Sequence, residues 1–197
     1  MKNSAPVNHP VNEPIRDRWS PRAYAKMPVE AIKVLSVIEA GRWAASAFNE
    51  QPWRFIVGLN FDETHQKILQ SLVEWNQQWA SNAPVLILNI AKRTFSHNGS
   101  KNVTFKYDLG QSVASMAVEA VVQGLHAHQM SGFDPEKAAN LFDIPDDFQA
   151  VSVTALGYYG NPDALPPDMQ KAEQRIRERK ALNEIAFSKS FGNGIGL

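Results

Sequence analysis

The sequence predicts a layered domain of the α+β or α/β class. Three observations carry that expectation. Strand-like apolar runs at residues 54–59, 84–90 and 151–156 alternate with stretches of helical periodicity. Pro84-Val85-Leu86-Ile87-Leu88-Asn89-Ile90 is an apolar run of the kind found in a central strand covered on both faces. Leu109 to Ala127 holds a single charge, Glu119, and so makes a helix too apolar to face water all round.

Taken in order, residues 1–15 contain three prolines and no apolar run, and read as a flexible arm ahead of one domain spanning 16–197. Such an arm is not a secretory signal, which needs an apolar stretch. Pro28 suits the first position of a helix with Val29, Ile32, Leu35 and Ile38 on one face, running to about Trp43. Arg54 to Leu59 reads as a strand closed by the turn-prone Asn60-Phe61-Asp62. Thr64 can cap a second helix carrying Ile68, Leu69, Leu72, Val73 and Trp79. The central strand follows, then a polar loop over 92–104 with Asn98-Gly99 at its tip. A long helix is expected from about Lys106 to Met130; Gln111, Ser112, Ser115 and Gln123 make it a buried helix and not a bilayer span. Asp134 and Pro135 are cap and first residue of a short helix. Val151 to Leu156 alternates as a strand ending at Gly157. Beyond Pro162, Pro166 and Pro167, Asp168 to about Phe187 reads as a charged helix, and Gly192 to Gly196 as a mobile tail.

The composition narrows the chemistry. With no cysteine among 197 residues there is no thiol nucleophile, no disulfide framework and no Cys-based zinc or iron–sulfur site. His126 and His128, two apart on an expected helix, point to different faces and are poor joint metal ligands, so no metal is expected. Twenty Lys and Arg balance twenty Asp and Glu, against the basic surface that nucleic-acid binding needs. Neither a membrane nor nucleic acid is an expected partner, and the cytoplasm is the expected compartment. Any redox chemistry must come from a bound organic cofactor.

Three local signals stand out, each with an ordinary structural alternative. Ala44-Ala45-Ser46-Ala47-Phe48-Asn49-Glu50-Gln51-Pro52-Trp53 lets backbone amides approach a ligand, or is a helix end followed by a turn. Arg16 to Lys26 holds four cations and one anion, with Ser20 between Arg18 and Arg22. It can clamp a phosphate through charge-assisted hydrogen bonds, or be a solvated basic arm. Lys171 to Lys180 holds five cations and two anions, as a solvated helix face with pairs such as Glu173–Arg177 also would.

Together these segments resemble the FMN-dependent nitroreductase-like flavoproteins over about Arg16 to Glu184. The specific part is Arg18-x-Ser20-x-Arg22, Pro28-Val29, then Ala40-x-x-Trp43-Ala44-Ala45-Ser46-x-x-Asn49-x-Gln51-Pro52-Trp53-Arg54-Phe55, in the family's order and spacing. Ala83-Pro84-Val85-Leu86-Ile87, Gly124-Leu125, Gly132-Phe133-Asp134-Pro135-Glu136-Lys137, Ala155-Leu156-Gly157-Tyr158 and Arg179 to Ile185 look like its later landmarks. Ala45 stands where the family has Pro, Ala181 replaces the Pro before Leu182, and Ser131 lies where some relatives carry Glu.

The resemblance implies an α+β three-layer fold with a mostly antiparallel central sheet, and the long buried helix at a dimer interface. It implies a homodimer holding one FMN at each of two subunit interfaces. Arg18, Trp19, Ser20 and Arg22 would come from one subunit, Arg18 and Ser20 serving the phosphate and ribityl chain and Arg22 the pyrimidine edge. Ala45, Ser46, Ala47 and Asn49 of the other subunit would close over the flavin. Asn76 would bond the ring, Ser131 and Gly132 would lie at the flavin N5 region, and Arg177 and Arg179 would bind phosphate. The implied activity passes hydride from NAD(P)H through flavin N5 to a nitroaromatic, quinone or similar small acceptor, with no side-chain catalytic residue required. The alternatives are a flavin-dependent dehalogenase or enone reductase on the same scaffold, or a low-turnover flavin-storage protein.

Overall fold

The computed structural model describes residues 3–196; Met1 and Lys2 of the expected arm and Leu197 of the expected tail lie outside the described residues. Strand β2 (Val85–Lys92) is buried from Val85 to Ala91, and its neighbours explain why. β1 (Trp53–Leu59) pairs antiparallel along one side and β4 (Phe148–Gly157) along the other. β3 (His126–Met130) joins the far edge of β4, again antiparallel, giving the order β1-β2-β4-β3.

Alternation along β2 separates two cores. Val85, Ile87 and Ala91 pack with Val34 and Val37 of α2 (Ala31–Arg42) and with Leu109, Met116 and Ala117 of α5 (Phe105–Val122). Leu86, Leu88 and Ile90 pack on the opposite face with Ile68 of α3 (Glu63–Ser71), Trp79 of α4 (Glu74–Ala80), Ala138 of α6 (Pro135–Leu141) and Met169 of α7 (Pro167–Glu173). Each such aliphatic side chain contributes roughly 1.5–3 kcal/mol on burial. The outcome is the expected three-layer α+β fold. A further short helix, α1 (Glu13–Asp17), lies against α5 and crosses the expected boundary between arm and domain. No helix among the described residues is long and apolar enough to cross a membrane.

Several elements differ from the sequence expectation, each for a local reason. α2 starts at Ala31, and its buried face carries Val34, Val37 and Gly41, while Ile32 and Leu35 stand 70% and 60% exposed. Gly41 sets that rotation: a Cβ there would lie 2.7 Å from Met116 Cγ and 3.0 Å from Ser112 Oγ, so α2 meets α5 most closely at this glycine. Asp62, not Thr64, caps α3, its carboxylate accepting from His65 N at 2.7 Å. The expected second helix is two, because Leu72 leaves helical geometry and bridges Phe133. The long helix stops at Val122, where Gly124 turns at φ +73° and Leu125 N bonds back to Ala120 O. His126 to Met130 is therefore strand, with both histidines on one face. The charged C-terminal helix ends at Glu173, and Phe187 bridges Gly194 so that the glycine-rich tail folds back on itself. Asp134 caps α6 as expected, accepting from Glu136 N and Lys137 N, and Gly99 takes the left-handed turn at φ +71°.

Candidate functional site

Two segments far apart in sequence form one cavity of about 250 Å³. Arg18, Trp19, Ser20 and Arg22 line one side, and Glu173, Arg177 and Arg179 line the other, with Asn3 at the wall. The first segment is extended and pinned along its length. Trp19 is buried edge-on against His126 and Tyr159, at centroid distances of 5.8 and 5.2 Å. Pro21 O lies 2.8 Å from His128 Nδ1. The main-chain N–H of Arg22 donates to both carboxylate oxygens of Glu173 at 3.0 Å, and Ala23 N–H donates to Oε1 at 3.1 Å. This explains why the helical pair Glu173–Arg177 does not form: Glu173 is buried and its carboxylate is occupied by backbone amides.

The cavity is strongly electropositive. Burial, and then the charge of Arg179, lower the Arg18 guanidinium below its ordinary pKa. Burial, then Arg18 and Arg179, do the same to Arg177, against the opposing pull of Asp17. Three guanidiniums that repel one another across a small cavity define a site for a polyanion. Arg18 Nη1 also donates to Ser20 Oγ at 3.2 Å, and Arg22 Nε is buried without a hydrogen-bond partner. A buried donor left unsatisfied costs about 1–3 kcal/mol, which a bound acceptor would recover.

The other sequence candidates lie in two separate places. Ala45, Ser46, Ala47 and Asn49 form the loop after α2, apart from the arginine cavity. Phe48, Asn49 and Gln51 there have φ of 52°, 55° and 51°, a left-handed backbone, interrupted by right-handed Glu50, that non-glycine residues adopt at a cost of about 1–2 kcal/mol each. Ser46 Oγ accepts from Gln51 N at 3.0 Å, and Asp108 of α5 accepts from Ala47 N at 3.2 Å. Asn76, Ser131 and Gly132 form the third place: Asn76 Nδ2 donates to Gly132 O at 2.9 Å, and a Cβ on Gly132 would lie 2.6 Å from that nitrogen. Sequence reasoning missed Glu173 and Asn3. Glu173 was concealed inside a charge-rich stretch, and nothing in the spacing marks Asn3.

The strand register also corrects the histidines, which share a face of β3 and were expected on opposite faces of a helix. Among the described residues no group of three His, Asp or Glu side chains could hold a metal. His128 packs on Trp79 at 4.6 Å and donates Nδ1–H to the Pro21 carbonyl. Burial, reinforced by Arg22 and Arg18 and opposed by that hydrogen bond, lowers its pKa to about 4. The folded value lies below the unfolded one near 6.5, so the associated stability is present above pH 6.5 and is lost as pH falls toward 4. The expected loss is about 3 kcal/mol across that window. Urea unfolding at pH 7 and pH 4 should show it in the wild-type chain and not in His128→Gln; parallel pH slopes would contradict it.

The fold and sequence match known proteins. A family model described as the Nitroreductase family matches residues 15–158. A crystal structure described as an oxidoreductase containing FMN superposes with a TM-score of 0.92 at 34% identity, covering 98% of each chain. A Mycolicibacterium smegmatis protein of 15.4 kDa, named only by its place in the ask 5' region, is 35% identical over 151 residues, which are 71% of this chain and 98% of the relative. A Thermus thermophilus protein named NADH dehydrogenase is 26% identical over 172 residues, 72% of this chain and 82% of the relative.

Proposed function

Because the chain belongs to the nitroreductase family, we propose that its arginine cavity holds the phosphate end of FMN and that the protein is an NAD(P)H-dependent oxidoreductase. The observation that carries this reading is the convergence of Arg18, Arg177 and Arg179 on one cavity beside the unpartnered Nε of Arg22. When bound, FMN supplies what these side chains lack, the transfer of a hydride from NAD(P)H to a small acceptor such as a nitroaromatic or quinone. Arg18, Ser20 and Arg179 bind the phosphate and ribityl chain. Arg22 provides a fixed positive field for the negative charge that reduction brings to the pyrimidine edge. Ser131 and Gly132 would lie at the flavin N5 region and Asn76 would bond the ring, with the Asn76–Gly132 hydrogen bond holding the backbone in place.

In this reading the loop of Ala45, Ser46, Ala47 and Asn49 closes over the flavin of a second subunit, so that a homodimer carries two sites. That none of these residues lines the arginine cavity of its own chain supports this, as do the exposed Ile32 and Leu35 of α2 and Tyr107 and Val122 of α5, apolar side chains uncovered in one chain. The enzyme works in the cytoplasm on a soluble acceptor.

The test is the visible spectrum of the purified protein, read before and after anaerobic NADH or NADPH, with sedimentation of the same fractions. A yellow dimer bleached by a nicotinamide and re-oxidised by a quinone or nitroaromatic is expected. A colourless protein that FMN cannot reconstitute would sink the flavin reading. A yellow protein that neither nicotinamide bleaches would leave it a flavin-storage protein, and a monomer that retains FMN would reject the shared site.

A further inference from the structure

Asn3 belongs to none of the segments given a role above, yet it lines the same cavity as Arg18 and Arg179. Its neighbours are fastened there. Arg177 Nη1 donates to Asn3 O and to Arg16 O, both at 2.8 Å. Ser4 Oγ donates to Asp17 Oδ1 at 2.7 Å, and Ala5 N donates to Arg16 O at 2.9 Å. Residues 6–13 between these anchors are exposed, so the chain leaves the cavity, loops through solvent and returns in α1. The described part of the stretch expected to be a flexible arm is held at residues 3–5 and again in α1.

Arg177 is the link. It lies among like charges, and the negative ends of two carbonyl dipoles compensate it from the side of the arm. Arg177 is thus tied by one nitrogen to two main-chain carbonyls of the N-terminal segment, whereas Arg18 Nη1 bonds Ser20 Oγ and Arg179 Nη1 bonds the neighbouring Glu178 carbonyl. We propose that residues 3–5 form a strap across the phosphate end of the cavity, with Asn3 a cofactor-contacting wall and Arg177 the positioning residue that fastens it. This rests on the FMN reading of the cavity. The strap slows cofactor release and selects for the phosphorylated flavin, because it touches only the end where FMN differs from riboflavin.

The experiment compares the full chain, a chain lacking residues 2–6, Arg177→Lys and the combination. FMN release from the holoprotein is followed by recovery of flavin fluorescence, and riboflavin affinity is titrated on flavin-free protein. Removing the strap is expected to accelerate FMN release and weaken FMN binding by about tenfold, within the range of one charge-assisted contact. Riboflavin affinity should be unchanged. Arg177→Lys keeps the charge but loses the planar fork, so it should match the deletion, and the combination should lose no more than either alone. Hydrogen exchange at the Ala5 amide should slow with FMN and not with riboflavin. Equal FMN affinity in full and shortened chains would overturn the strap alone, and an equal loss for both flavins would reduce it to a general stabilising contact. Full affinity in Arg177→Lys would remove the fastening role. A full chain that binds neither flavin would remove the cofactor reading, and the strap with it.

Discussion

Arg18→Ala is expected to raise the FMN dissociation constant by about 10- to 100-fold, the worth of one charge-assisted hydrogen bond of roughly 1.5–3 kcal/mol. Arg18 lines the cavity, bonds Ser20 and repels Arg177 and Arg179 across it. Its removal therefore acts with opposite signs on two measurements. Flavin affinity falls, while the flavin-free chain gains stability because two remaining guanidiniums lose a like-charged neighbour. Arg179→Ala should show the same pairing, since Arg179 is the charge that bears on Arg18. Fluorescence titration gives the affinity, and thermal unfolding of the flavin-free protein gives the stability. Unchanged FMN affinity in both variants would reject the phosphate assignment, whatever the stability does.

Gly58→Ala is expected to destabilise the fold by about 3 kcal/mol, the upper part of the ordinary range for overpacking a filled interior. Gly58 lies in β1 where α3 crosses the sheet, and a Cβ there would fall inside van der Waals contact of His65 N and Cα. Backbone atoms cannot rotate away as a side-chain tip can. The His65 N–H is the one that Asp62 caps, and His65 Nε2 lies 2.8 Å from Ala83 O, so moving the helix disturbs both bonds. For a chain of this length the melting temperature should fall by roughly 6–12 °C. Urea unfolding should show a lower midpoint with an unchanged slope. An unfolding free energy within about 0.5 kcal/mol of wild type, the size of an ordinary surface change, would show that α3 is free to shift.

The layers were legible in the sequence because burial leaves a compositional trace. The apolar run of β2 and the nearly uncharged α5 mark elements with both strand faces, or a wide helix face, inside the fold. The rotation of α2 was not legible. Ile32 and Leu35 are as apolar as Val34 and Val37, and only the close approach at Gly41 decides which pair turns inward. The end of α5 was hidden for a related reason: His126 to Met130 continues the helix composition, and the change of state rests on one left-handed glycine. In the candidate site, the two basic clusters stood out in a balanced chain, and it was the family resemblance that singled out Arg18, Ser20, Arg22 and Arg179 from them. Glu173 was not, because a carboxylate bonding main-chain amides 150 residues away has the same sequence appearance as one in a helical ion pair.

That bond between Glu173 and the Arg22–Ala23 backbone also fixes when the cavity comes into being. Its two walls are joined across 150 residues of chain, a contact of high order that forms only when a long loop closes. On a ribosome, the segment of Arg18 to Arg22 has no opposing wall until Glu173 has emerged. A chain truncated before Glu173 would keep all four strands, the last of which ends at Gly157, yet have no closed place to put an anion.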